Sequence, residues 1–214
     1  MTLPFTETAF LDVFGAYNTA LWPVAVLLWV ASAFVAARWL ARGTGTRTLL
    51  VLLAFHWAWS GIAYHWLYFR TINPAARGFA LMFVFESVVF AWLAGRGRAR
   101  FVTKRSTRSM VAGALVAYAL LYPFVSLSLG LHYPRVPLFA VPCPTTLLTA
   151  GLLLAGTGLP RLVGLVPLAW SVIGGSGAFL LGIRSDLVLP VAGVLLLIDI
   201  LAPSALGPRG AAEN

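Results

Sequence analysis

The sequence predicts an all-α integral membrane bundle of about seven transmembrane helices, and three observations carry that prediction. Hydrophobic residues make up 60% of the chain and charged residues 10%, with a mean hydropathy of +0.91. A soluble domain carries about a quarter charged residues. Seven apolar runs approach the roughly 20 residues of helix that a bilayer core requires. Lys and Arg, finally, sit almost wholly in the short gaps between those runs, as in loops facing anionic headgroups. Net charge is +9 and pI about 10.8, yet this placement argues for lipid as the partner and against nucleic acid.

Residues 1–19 are read as an outer interfacial segment. Phe5, Phe10, Leu11, Phe14 and Tyr17 recur near helical spacing among Glu7 and Asp12, which fits an amphipathic helix lying on the membrane. The transmembrane region covers 20–202, with helices expected at 20–40, 49–69, 79–95, 110–130, 144–159, 162–183 and 187–202. Breakers divide them: Arg42-Gly43-Thr44-Gly45, Asn73-Pro74, Gly95-Arg96-Gly97-Arg98 and Gly158-Leu159-Pro160-Arg161. The runs at 144–159 and 187–202 are short for a full crossing, so six spans plus a re-entrant segment is the alternative. Trp66, Tyr68 and Phe69 end the second run as an interfacial aromatic belt would. In the sixth, Ser171 with Gly175 and Gly174 with Ala178 have the four-residue spacing of closely packed helices. Residues 203–214 are expected to form a flexible cytoplasmic tail.

Charge sets the direction. With the N-terminus outside, the inner segments hold eleven basic residues and the outer ones four, namely Arg70, Arg77, Arg135 and Arg184. Positive residues favour the cytoplasmic side, so the N-terminus is placed outside and the C-terminus inside. No basic n-region or small-residue cleavage site marks a signal peptide in the first 20 residues. Arg outnumbers Lys 14 to 1, and with abundant Ala, Leu and Gly this composition suits a bacterial source and its cytoplasmic membrane.

That orientation gathers several polar residues on the outer side: Tyr64 and His65 near the end of the second helix, Asn73 in the loop beyond it, then His132, Cys143 and Thr145. Together they are read as lining an outer cavity for a small solute or ion. Pro144 suits the first position of a helix, making Cys143 the N-cap. Unpaired N–H groups and the helix dipole there would favour thiolate. Thiolate and imidazole suit a soft metal such as copper or zinc, so Cys143 with His65 or His132 is a candidate for a metal or a redox partner. A buried, inert cysteine at a proline-bracketed helix start is the plainer alternative.

Deeper in the membrane, His56 and Glu86 lie at comparable depths on antiparallel neighbours and are read as an intramembrane polar pair. A buried carboxyl in lipid is costly unless neutral or paired. It is read either as part of an ion path or as a bond between helices. His56 and His65 are nine residues apart, half a turn out of phase in an ideal α-helix, and so are assigned separate roles. Asp199 is expected to reach the surface or an Arg, and Asp186 to cap a helix.

Other chemistries lack their residues. The only lysine, Lys104, lies in a basic loop, which removes a retinal Schiff base. No Walker loop, GxSxG elbow or HExxH occurs. No catalytic set and no cofactor are assigned.

The run Trp57-Ala58-Trp59-Ser60-Gly61-Ile62-Ala63-Tyr64-His65-Trp66, the Ile72-Asn73-Pro74-Ala75-Ala76 loop and Pro142-Cys143-Pro144-Thr145-Thr146 together resemble the bacterial domain of unknown function family 6064. Leu3-Pro4-Phe5, Ala16-Tyr17-Asn18, Ile173-Gly174-Gly175-Ser176 and Asp186-Leu187 extend the resemblance over nearly the whole chain. It implies a small multi-pass membrane protein and supplies no activity. Glu86 departs from the uncharged residues of the family's equivalent region, which weakens the ion-path reading. The leading expectation is a non-enzymatic protein that binds or moves a small solute or ion. A redox or soft-metal protein using Cys143 and a membrane scaffold are the rivals.

Overall fold

The computed structural model describes residues 3–101 and 106–206. Seven α-helices run through them: α1 (Glu7–Arg42), α2 (Thr46–Trp59), α3 (Ala76–Arg96), α4 (Thr107–Ser128), α5 (Pro142–Ala155), α6 (Leu165–Leu181) and α7 (Leu189–Leu201). Four helical stretches, Glu7–Arg42, Ala76–Arg96, Thr107–Ser128 and Arg161–Leu181, are long and apolar enough to cross a membrane. Lys104, Arg105 and Arg209 of the expected inner charge set lie outside the described residues, as does 207–214 of the expected tail. Pro203–Leu206, the start of that tail, forms a 3-10 turn against the bundle.

The apolar surface is inside out relative to a soluble protein. Leu27, Phe34, Leu81, Phe85, Met110, Val172 and Phe179 are all exposed, and each lies on a helix that also has a buried face. A contiguous apolar exterior of this kind suits a hydrocarbon solvent. Polar and charged side chains cluster at the two ends of the helices and at a few buried points.

Every residue of α5 is buried, so this helix is the hub around which the others pack. A helix that is apolar all round belongs in such a place, and its 14 residues reach only about 21 Å at 1.5 Å per residue. Its shortness therefore reflects a central position. The closest approach is to α4, where a Cβ added to Gly151 would stand 2.7 Å from the Ala112 carbonyl oxygen. Between α6 and α7, Gly175 faces Pro190 and Gly193 faces Ser171. The Ser171/Gly175 spacing is thus a packing seam, as the sequence indicates, whereas Gly174 and Ala178 turn toward a cavity.

Two features depart from the expected helices. The segment 7–19 is the first third of α1, continuous through Pro23, and is no separate surface helix. Its start is capped by Thr6, whose hydroxyl accepts from the Ala9 N–H at 3.2 Å. Beyond Trp59, α2 widens into a π-helix over Ser60–Tyr68 and tightens into a 3-10 turn over Phe69–Thr71. The π-helix bonds i to i+5 and turns less per residue than an α-helix. His56 and His65 are therefore not half a turn apart, and both are fully buried.

The opposite end of the bundle, away from the start of α1, carries a small tie that the sequence does not announce. Arg100–Phe101 pairs antiparallel with Gly156–Thr157, and Trp39 donates its indole N–H to the Phe101 carbonyl at 3.0 Å. Nearby, Arg108 meets Asp199 in a buried ion pair and donates to the Leu154 carbonyl at 2.7 Å. Asp199 thus meets an arginine, one of the two fates expected for it.

Candidate functional site

At the amino-terminal end of the bundle, α1, the π segment, α3, α5, α6 and the α6–α7 turn enclose a cavity of about 140 Å³. The stretch Leu3–Phe5 ahead of α1 lies across it. An apolar cavity of about 150 Å³ holds a benzene-sized molecule, so the space suits a ligand of that size. Its walls are largely aromatic, with Phe5, Phe10, Phe14, Tyr64, Phe69, Phe79 and Trp170 on the lining. The ring system is continuous. Phe14 stacks on Tyr64 with centroids 5.3 Å apart, and Tyr64 stacks on Phe69 at 5.6 Å. Phe69, expected at the membrane interface, instead turns inward, because the π-to-3-10 transition rotates it under Phe5 and Phe10. Trp66 stays exposed and takes Arg70 over its ring at 5.0 Å.

Tyr64, Asn73 and Cys143 of the predicted outer set line this cavity. Asn73 also accepts from the Ala75 N–H at 3.1 Å, fixing the turn into α3. The remaining members of the set lie elsewhere. His132 is exposed in the α4–α5 loop. Thr145 points into the core, its hydroxyl 3.2 Å from that of Ser60. His65 lies behind the wall, 4.9 Å from Trp170 and 4.7 Å from Phe83 between ring centroids, with neither ring nitrogen hydrogen-bonded.

Cys143 departs from its expected capping role. Val141 is the N-cap and Pro142 the first helical residue, two positions earlier than the proline pattern implied. Cys143 therefore lies inside the first turn, buried, beside the Asp186 carboxyl and the Trp170 indole. A carboxyl neighbour opposes an anionic thiolate. Among the described residues no three His, Cys, Asp or Glu converge as metal ligands.

The residue that sequence reasoning undervalued is Asp186. It lies in the 3-10 turn Arg184–Val188, yet it caps nothing: α7 begins at Leu189 without a side-chain cap. Its side chain turns inward onto the cavity wall and is buried. Tyr122 of α4 donates its hydroxyl to the carboxylate. Ser185 donates to Tyr122 at 3.3 Å, and Tyr118 donates to the Ser185 carbonyl at 2.8 Å. Burial pushes the Asp186 carboxyl up to about 6, against hydrogen bonds from Tyr122 and Cys143 that favour its charged form. Its position just outside two apolar helices resembles any capping acid, so only the tyrosines at 118 and 122, one helical turn apart, hinted at a partner.

The intramembrane pair does not form. The His56 ring and the Ser32 hydroxyl of α1 share a hydrogen bond of 2.8 Å, and Phe139 packs edge-on against the ring. Trp57, one residue on and about 100° round the helix, occupies the side facing α3. Its ring lies 4.4 Å from that of Phe83, and its N–H donates to Thr149 at 2.9 Å. Glu86 is buried on the same α3 face as Phe83 and Phe90, and its Oε1 has no hydrogen-bond partner.

Asn18 fastens this end together. Fully buried, it donates to the carbonyls of Pro134 and Val136, each at 2.6 Å, and so holds α1 against the loop that leads into α5. Trp59 donates to the hydroxyl of the adjacent Tyr17 at 2.6 Å.

A family model described as "Family of unknown function (DUF6064)" matches residues 7–206. No curated protein and no solved structure matches the chain.

Proposed function

The chain belongs to the family of unknown function DUF6064, and from that premise we propose that it is a multi-pass membrane protein whose aromatic cavity binds a small solute from outside the cell. The single observation that carries this reading is the cavity itself. A buried carboxylate, with Tyr64, Asn73 and Cys143, supplies the few polar groups of a largely aromatic lining, which is how small-molecule sites are commonly built. Beyond Trp170 the bundle is filled by Phe83, Trp57 and Phe90, which favours binding over passage.

The alternation of the loops supports seven crossings. Asn18 meets the α4–α5 loop at one end, and Trp39 meets the α3–α4 segment at the other. The described arginines at the far end are Arg38, Arg42, Arg47, Arg96, Arg98, Arg100, Arg108 and Arg161, against Arg70, Arg77, Arg135 and Arg184 near the cavity. The positive-inside tendency supports a cavity on the outer side of a bacterial cytoplasmic membrane.

Two measurements test this. In a Cys143→Ser background, His132→Cys should label with a membrane-impermeant maleimide on intact cells, and Arg161→Cys only after lysis. The reverse pattern would invert the protein. A panel of benzene-sized amphiphiles should raise the Tm of protein in lipid nanodiscs, and Gly177→Leu should remove that shift. Gly177 lines the cavity and a Cβ there meets nothing within 4 Å, so a leucine side chain has room to start there and takes up part of the cavity. A panel that leaves Tm unmoved would remove the ligand site.

A further inference from the structure

Asp186 is buried on the cavity wall, and among the described residues the ion pairs are Arg108–Asp199 and Arg135–Asp12. Asp186 therefore has hydrogen-bond donors and, among the described residues, no cation partner. A buried carboxylate without a counter-charge is costly, and the tyrosine that donates to it compensates only in part. Arg184, two residues away, is exposed.

The rest of the wall has the complementary property. Aromatic faces attract cations through their ring quadrupoles, and cages of such rings recognise ammonium groups. Tyr64, Phe14 and Phe69 present stacked rings along one side, and Trp170 stands on another, beside Cys143. The Trp170 N–H, buried next to Gly174 on the lining, has no hydrogen bond of good geometry, with the Cys143 sulfur the weak acceptor beside it. An acceptor atom on a ligand would satisfy it.

We propose that the cavity takes a small organic cation of the ammonium or quaternary ammonium class, with its charge against Asp186 and its alkyl groups against the aromatic walls. This rests on the reading of the cavity as a ligand site and names the chemistry of its occupant. At about 140 Å³ the cavity suits a head group of about benzene's size.

Tetramethylammonium and tert-butanol are similar in size and differ in charge, which makes them suitable probes. In isothermal titration calorimetry on the full chain in nanodiscs, tetramethylammonium should bind at least ~10-fold more tightly than tert-butanol, the factor that 1.4 kcal/mol represents. Asp186→Asn should remove that preference. Gly177→Leu, which leaves the carboxylate and its tyrosine in place, should abolish binding of both probes, and it keeps the test decisive should the Asn variant fail to fold. Equal affinities for the two probes, or an undiminished cation preference in Asp186→Asn, would overturn the cation assignment while leaving the ligand site intact. Binding of neither probe to the unaltered chain would overturn the assignment and the ligand site together.

Discussion

Tyr122 donates its hydroxyl to the buried carboxylate of Asp186, joining the middle of α4 to the turn between α6 and α7. The two residues are 64 positions apart, and between them they fix the far wall of the cavity. Cys143 of α5 adjoins the same carboxylate, so three separate helices or turns are held at one point.

That bond makes the first prediction. Tyr122→Phe preserves the ring and removes one donor from a buried carboxylate. Hydrogen bonds to charged groups contribute about 1.5–3 kcal/mol, so thermal unfolding in nanodiscs should show a lower Tm with no change in oligomeric state. An unchanged Tm would mean that Asp186 carries its proton and needs no donor.

A second prediction concerns pH. Asp186 loses its proton near 6, above the ordinary aspartate value of about 3.9. Without ligand, its contribution favours the folded state at low pH and is lost as pH rises through about 6. A bound cation needs the carboxylate and reverses the preference. The groups facing Asp186 are Tyr118 and Tyr122 of α4, Cys143 of α5 and Tyr64 of the π segment. Tyrosine and cysteine ordinarily ionise above neutral pH. Tetramethylammonium affinity should therefore fall as pH drops from 7.5 to 5, and calorimetry across that range would expose a flat profile.

Glycines supply a paired test. Gly151→Ala drives a Cβ into the Ala112 carbonyl and Val116, and overpacking of this kind costs about 1–3 kcal/mol. Gly177→Ala meets open space and gains helix propensity of up to about 1 kcal/mol. Melting curves of the two variants should move in opposite directions.

The Arg108–Asp199 pair at the opposite end should behave as a buried unit. Asp199→Leu leaves the Arg108 guanidinium buried with carbonyl partners only, and breaking such a pair costs about 3–5 kcal/mol. Arg108→Met with Asp199→Leu should recover most of that loss in chemical denaturation. If the double variant were as unstable as the single one, the pair's hydrogen bonds to Leu154 and Pro203 would be the larger contribution.

Glu86 makes a contrasting case. Its Oε1 has no hydrogen-bond partner, and aromatic residues flank it on the buried face of α3. Removing an unpaired buried polar group recovers about 1–3 kcal/mol by mutational measures, so Glu86→Met should raise Tm. A fall would reveal a bond to Glu86 that forms in lipid.

Much of this was readable from the chain. The apolar runs and their breakers located seven helices, the Ser171/Gly175 spacing located a packing seam, and Tyr64, Asn73 and Cys143 were assigned to one cavity, which they line. The misassignments have local causes. His56 was paired with Glu86 by depth alone, and depth along a helix does not specify direction around it; Trp57 took the face toward α3. Cys143 was placed at a cap because Pro144 suits a first helical position, but Pro142 suits it equally and lies first in the chain.

By itself the sequence determined the apolar character of the helices, where along the chain they run and which end of the bundle carries more basic residues, because hydropathy and Lys/Arg placement are properties of composition and order. Only the tertiary structure decided which residues meet. The π turn after Trp59 rotates Tyr64 and Phe69 onto a common wall, and the α6–α7 turn swings Asp186 in toward Tyr122. Both outcomes depend on angles about helix axes and on neighbours distant along the chain, which linear spacing does not encode.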